Sequence, residues 1–123
     1  MPERIQRRRE KGWRMPEGAI YIGRPSRWGN PFTANMWGLQ TSLDAYSDMV
    51  RGFWNPILFH DCDDQDYAIA YELRSDWLRR LNYHHPLEAV RYELRGHDLA
   101  CWCPLDQPCH ADVLLELANG ENA

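Results

Sequence analysis

Residues 98–118 read DLACWCPLDQPCHADVLLELA and contain three of the four cysteines of this 123-residue chain. Leu99 to Cys103 is short, apolar and bounded by Gly96 and Pro104, which suits a buried strand better than a helix. Side chains alternate along a strand, so Cys101 and Cys103 are expected to share one face while Trp102 takes the other. The sulfurs should therefore converge. After the turn, Pro108 suits the first position of a helix, with Asp106 or Gln107 near its cap. Val113, Leu114, Leu117 and Ala118 recur at helical spacing until Gly120 stops it. Cys109 and His110 then fall in the first turn, where free N–H groups and the positive end of the helix dipole favour thiolates and anions.

A second strand is expected at Ala19–Ile22, and it runs directly into GRPSRWGNPF at residues 23–32. Two Gly, two Pro, a Ser and an Asn in that loop demand specific turns. A purely structural loop would not need Arg24, Arg27 and Trp28 among them, so Arg24, Ser26, Arg27, Trp28 and Asn30 are candidate ligand-binding residues. Three helices follow. The first, capped by Thr41 or Ser42, carries Leu43, Tyr46, Met49, Val50, Phe53 and Trp54 on one stripe and ends at Asn55-Pro56. The second starts at Asp63 or Asp64 and buries Tyr67, Ala70, Tyr71, Trp77, Leu78 and Leu81. The third begins at Pro86, turns Leu87, Val90 and Leu94 inward and ends at Gly96.

A chain that leaves Ala19–Ile22, crosses through helices and returns at Leu99–Cys103 most simply makes parallel neighbours. Both strand C-termini then lie on one edge, so GRPSRWGNPF and CWCPLDQPCH face each other across a crevice. The expected architecture is a small single α/β domain over residues 1–123, with a short, mostly parallel sheet flanked by about four helices. Arg4–Arg8, within a basic segment at residues 1–16, reads as an edge strand or an arm. Residues 121–123 are expected to fray.

The net charge of -4 is unevenly distributed, because residues 1–27 hold eight basic side chains against Glu3, Glu10 and Glu17. A basic front on an acidic body suggests a phosphate-bearing partner met locally, with Arg14 and Trp13 in the KGWRMP segment able to clamp a phosphate and stack on a base. The plainer reading is a solvated arm whose arginines pair with the acidic body. No run approaches a membrane span and no signal-peptide order is present, so a cytoplasmic location is expected. Crowded cysteines there suggest reduced thiols or metal ligands rather than disulfides. Nothing in the sequence indicates an oligomeric state.

Lys11–Pro16 (KGWRMP), Tyr21–Phe32 (YIGRPSRWGNPF) and Leu99–Leu114, with its CWC and its CH-x-DVL separated by a longer LDQP turn, resemble the bacterial and phage domain-of-unknown-function family 4326. The likeness covers essentially the whole chain and implies no activity. The last block also resembles, over a short span, domain-of-unknown-function family 488. Both resemblances imply a Rossmann-like nucleotide-handling fold, an analogy that does not carry function.

Three chemistries fit these residues. The first is a crevice for a nucleotide, nucleoside or nucleic-acid phosphate, possessed by a processing enzyme in which Cys109, activated by His110 and the helix terminus, is the leading catalytic thiol and Cys101 and Cys103 follow. Against it stands simple packing, since Cys is a common small buried residue. The second is a zinc-stabilised interaction module using Cys101, Cys103, Cys109 and His110, opposed by the C-x₅-C-H spacing and by the roughly 100° between adjacent helical side chains. The third is a non-enzymatic nucleic-acid-binding protein using Arg7, Arg8, Arg9, Lys11 and Arg14. No phosphate-binding glycine fingerprint occurs, and no cofactor is indicated.

Overall fold

Three short strands build one sheet in the computed structural model, which describes residues 2–120; the expectation for residues 121–123 lies outside them. They are β1 (Arg4–Gln6), β2 (Ile20–Tyr21) and β3 (Leu99–Cys101), in the order β1-β3-β2. Both outer strands run parallel to β3, with Ile5 and Tyr21 each in register with Ala100. All three β3 residues are buried, as a central strand covered on both faces requires. Arg4–Gln6, within the basic N-terminal segment, is thus an edge strand, and the β2-to-β3 crossover is parallel.

Each strand is shorter than the segment expected from the sequence. Ile22 N–H donates to Ala100 O at 2.9 Å and Arg7 N–H to Cys101 O at 2.7 Å, and these bonds close the ladder. Beyond them β2 turns away at Gly23, so Trp102 and Cys103 have no strand to pair with. Alternation stops at Cys101 for that reason.

Among the described residues there are five α-helices: α1 (Ala34–Trp37), α2 (Leu39–Val50), α3 (Asp64–Leu81), α4 (Pro86–Leu94) and α5 (His110–Asn119). A 3₁₀ turn at Pro56–Phe59 lies between α2 and α3. The additional element relative to the expected four is α1, separated from α2 by Gly38, whose φ of 85° suits glycine and little else. Helix α2 therefore begins before Thr41 and Ser42, and Ser42 is not a cap. Its hydroxyl is buried and donates to Phe32 O, holding the end of the 23–32 loop. Phe53 and Tyr71, expected on buried stripes, are exposed. Phe53 lies beyond the end of α2, where the helical period no longer sets its direction.

Other helix starts follow their sequence signals. Asp63 caps α3 by accepting the Asp66 N–H at 2.8 Å, and His85 Nδ1 accepts the Leu87 N–H at 3.1 Å ahead of α4. Helix α5 starts later than its proline suggests: Cys109 is the N-cap and His110 the first helical residue. Its buried side, including Ala111, Leu114, Leu117 and Ala118, joins Val90 and Leu94 of α4 and Leu99 of β3 in one core.

Arg4 determines how β1 meets this junction. Its side chain is 8 % exposed and lies 3.1 Å from the Asp112 carboxylate, and it donates to Pro104 O at 3.1 Å and Leu105 O at 2.7 Å. Asp112 also accepts the Cys109 N–H at 3.1 Å. One guanidinium thus ties the edge strand, the 104–108 turn and the α5 cap together. Arg4→Ala is expected to lower stability by about 1.5–3 kcal/mol, the range for hydrogen bonds to charged groups, as read by chemical denaturation. An unchanged midpoint would mean that the turn holds itself.

Candidate functional site

At the C-terminal edge of β2 and β3 the 23–32 loop and the 101–110 junction enclose a crevice of about 310 Å³. Cys101, Cys103, Cys109 and His110 all line it from one side, and Gly23, Arg24 and Asn30 from the other. The two loops therefore face each other, as parallel strands dictate. Phe32, Leu39 and Leu43 give it an apolar wall from the start of α2. Trp102, expected on the opposite face, also lines the crevice and is 38 % exposed. The strand has ended by that residue, so the two-residue alternation does not apply.

The three sulfurs of Cys101, Cys103 and Cys109 all lie within 4.8 Å of one another. Cys101 and Cys109 are buried and Cys103 is half-buried; all three are free thiols. Cys109 Sγ is 3.4 Å from Cys101 Sγ and 3.6 Å from His110 Nδ1, and it accepts the Ala111 N–H at 3.5 Å. His110 Nε2 is 2.8 Å from Ile22 O. A carbonyl only accepts, so Nε2 carries a proton, and Nδ1, which faces the Cys109 sulfur, donates to a thiolate there only when it is protonated as well. Tyr46 packs against that imidazole in a T-shaped arrangement, with ring centres 5.2 Å apart.

These contacts polarise the thiols unequally. Cys109 is held well below the ordinary thiol range, first by the hydrogen bond from the Cys101 thiol and then, against the opposing effect of burial, by His110. Cys101 is pushed up by the same hydrogen bond and by burial. Burial raises Cys103. The arrangement is a buried thiolate with a neighbouring thiol donor and an imidazole fixed by a main-chain carbonyl.

The loop's candidate residues separate. Arg24 is exposed and borders both the crevice and the depression behind the loop. Asn30 lines it, but its amide donates to Ser42 Oγ at 2.9 Å and its Oδ1 accepts the Phe32 N–H at 2.9 Å, so it shapes the loop. Trp28 is 4 % exposed and meets Trp77 edge-on with ring centres 6.5 Å apart, which makes it a core residue rather than a stacking platform. Ser26 and Arg27 line a separate depression behind the loop, between it and α3. Arg27 pairs with Glu93 at 3.0 Å and donates to Leu81 O at 3.2 Å, fastening the loop to the helices. Arg14 is exposed and Trp13 half-buried, and neither lines the crevice.

Sequence reasoning missed the groups that hold this site, and it named Arg7 and Arg9 only for nucleic-acid binding by the basic N-terminus, apart from the crevice. Tyr46, read as a packing residue, also donates its hydroxyl to Trp28 O at 2.6 Å, so α2 anchors the loop through both Tyr46 and Ser42. Arg7 and Arg9 stand over the Trp102 ring at 4.7 and 4.4 Å, which brings part of the basic edge to the crevice mouth. Gly29 makes a close approach to the Arg24 backbone: a Cβ there would lie 2.8 Å from Arg24 Cγ, 3.0 Å from Arg24 N and 3.1 Å from Arg24 Cα. Gly29→Ala is expected to displace the Arg24 segment and to lower stability by about 1–3 kcal/mol, the usual cost of overpacking. A variant as stable as the parent, with unchanged amide chemical shifts through residues 23–32, would show that the loop yields freely.

The family profile described as "Domain of unknown function (DUF4326)" matches residues 5–120. No curated protein and no solved structure matches the chain. No helix among the described residues is long and apolar enough to cross a membrane.

Proposed function

Because the chain belongs to the DUF4326 family, whose description carries no activity, we propose from the site itself that the protein is a nucleotide- or nucleic-acid-processing enzyme with a thiolate centre. Its crevice takes a phosphate-bearing nucleotide or nucleoside-like ligand. Arg24 meets the charge at the rim, and Cys101, Cys103, Cys109 and His110 form the reactive floor. A parallel sheet with its ligand groups at the strand C-termini supports a Rossmann-like reading of the fold. The observation that carries the proposal is the Cys109 sulfur, lowered in pKa and 3.6 Å from an imidazole fixed by Ile22 O, at the base of a crevice of about 310 Å³. Purely packed cysteines require neither that polarisation nor an opening.

Thermal denaturation in the presence of nucleosides, mononucleotides, dinucleotides and inorganic phosphate tests it. Stabilisation by at least one phosphate-bearing compound, with its dephosphorylated counterpart weaker, is expected. No stabilisation by any of them at millimolar concentration would overturn the assignment. The basic edge favours ligands whose phosphate reaches Arg7 and Arg9 as well, so binding should weaken as salt rises.

A further inference from the structure

We propose that Cys101, Cys103 and Cys109 together bind one zinc ion whose fourth position opens into the crevice. The proposal rests on the crevice being a ligand site and deepens it by giving the thiolate centre its chemistry. A tetrahedral site with zinc–sulfur bonds of about 2.3 Å separates its sulfurs by about 3.8 Å. The three sulfurs here lie within 4.8 Å of one another, and the closest pair is 3.4 Å apart, so small side-chain rotations bring them to that spacing. Thiolates are soft donors and select zinc over magnesium or calcium.

Two objections raised by the sequence lose their force in the fold. The spacing of Cys109 from the other thiols is set by the strand-to-helix reversal rather than by a local knuckle. The angle between adjacent helical side chains no longer bears on the site, because His110 is not one of the three donors and Cys109 is the N-cap, with an extended backbone at φ -148° and ψ 152°. His110 stands beside the trio as a positioning residue. Its Nδ1 faces the Cys109 sulfur while its Nε2–H donates to Ile22 O, and the Ala111 N–H supports the same sulfur. Outer contacts of this kind orient the donors of a metal site.

All three cysteines line the crevice. Three protein donors with the fourth position facing a ligand cavity is the pattern of reactive rather than purely structural zinc. There the fourth donor is a water or an oxygen of the bound ligand. Binding replaces the protons of the thiols, which are released to solvent, so affinity falls with acidification.

The full chain, purified without chelator, is expected to carry about one zinc per molecule by elemental analysis. Cobalt(II) alone, added to the metal-free protein, should produce thiolate-to-cobalt charge-transfer absorption. C101S and C103S should lose that absorption and retain less than roughly a tenth of the zinc, with folding checked by circular dichroism. C62S should keep both, since Cys62 lies outside the trio with its Sγ donating to Phe59 O at 3.1 Å. A folded parent that takes up neither zinc nor cobalt, or a folded C103S with full zinc content, would overturn the proposal. Should a variant fail to fold, the cobalt spectrum of the parent decides alone. Nucleotide stabilisation of a protein that takes up neither metal removes the zinc and leaves the crevice reading standing. Zinc uptake without any nucleotide stabilisation keeps the metal site and removes the assigned ligand.

Discussion

Trp28→Ala should unfold at markedly lower denaturant concentration, losing about 3–5 kcal/mol, and its ligand affinity should be unchanged wherever the variant remains folded. The indole is packed among core residues, edge-on to Trp77, with the Arg27 guanidinium 5.1 Å from its ring centre. Removing it leaves a cavity beneath the very loop that carries Arg24. It also frees the segment whose carbonyl accepts the Tyr46 hydroxyl, so loosening would spread toward α2. A loss of that size is a large fraction of the 5–15 kcal/mol that holds a typical small protein together. The measurement is equilibrium denaturation alongside ligand titration. A variant of parental stability that binds no ligand would restore Trp28 as a stacking surface and contradict its placement in the core.

Arg24→Ala is expected to do the reverse. Its side chain is exposed at the crevice rim, so truncation removes little packing. The Tyr21 hydroxyl bonds to the Arg24 main-chain carbonyl at 2.6 Å, and alanine keeps that carbonyl in place. A charge-assisted contact to phosphate is worth about 1.5–3 kcal/mol, which corresponds to roughly 10- to 150-fold weaker binding. The unfolding midpoint should stay where it is. Arg24→Lys should recover part of the affinity, because it retains the charge but loses the planar fork. Arg27→Ala supplies the contrast: it breaks the pair with Glu93 and the bond to Leu81 O, so it should lower stability modestly and spare binding. Equal losses of affinity in the Arg24 and Arg27 variants would mean that the ligand enters from the other side of the loop.

The two loops were legible because each has a local signature. Gly, Pro and Asn crowd GRPSRWGNPF, and a short apolar run followed by Pro and a helical stripe marks the junction. Strand pairing also followed from chain order, since an intervening set of helices makes the parallel return the simplest one. What failed to follow was the direction of individual side chains within irregular backbone. Arg24 and Arg27 are equally plausible ligand residues on paper, yet one reaches the crevice and the other pairs with Glu93 behind the loop. Trp102 was assigned by a rule that ends when the strand runs out of partners. Ser42 satisfied every local criterion for a helix cap, but Gly38 allowed the helix to begin earlier and turned the hydroxyl toward Phe32 O.

By itself, the sequence determined the family, through its KGWRMP, YIGRPSRWGNPF and CWC…CH-x-DVL motifs, and also the α/β class and the meeting of two loops at one sheet edge, which rest on periodicity, turn chemistry and chain order, all of them local or topological. Only the tertiary structure decided that Cys101, Cys103 and Cys109 share a space a few ångströms wide, that Ile22 O fixes the His110 ring, and that Trp28 belongs to the core. The last two are contacts between elements distant in the chain, and the first depends on how the 104–108 turn folds Cys109 back onto β3. Their distances depend on where the turns place each side chain, and no local propensity encodes that.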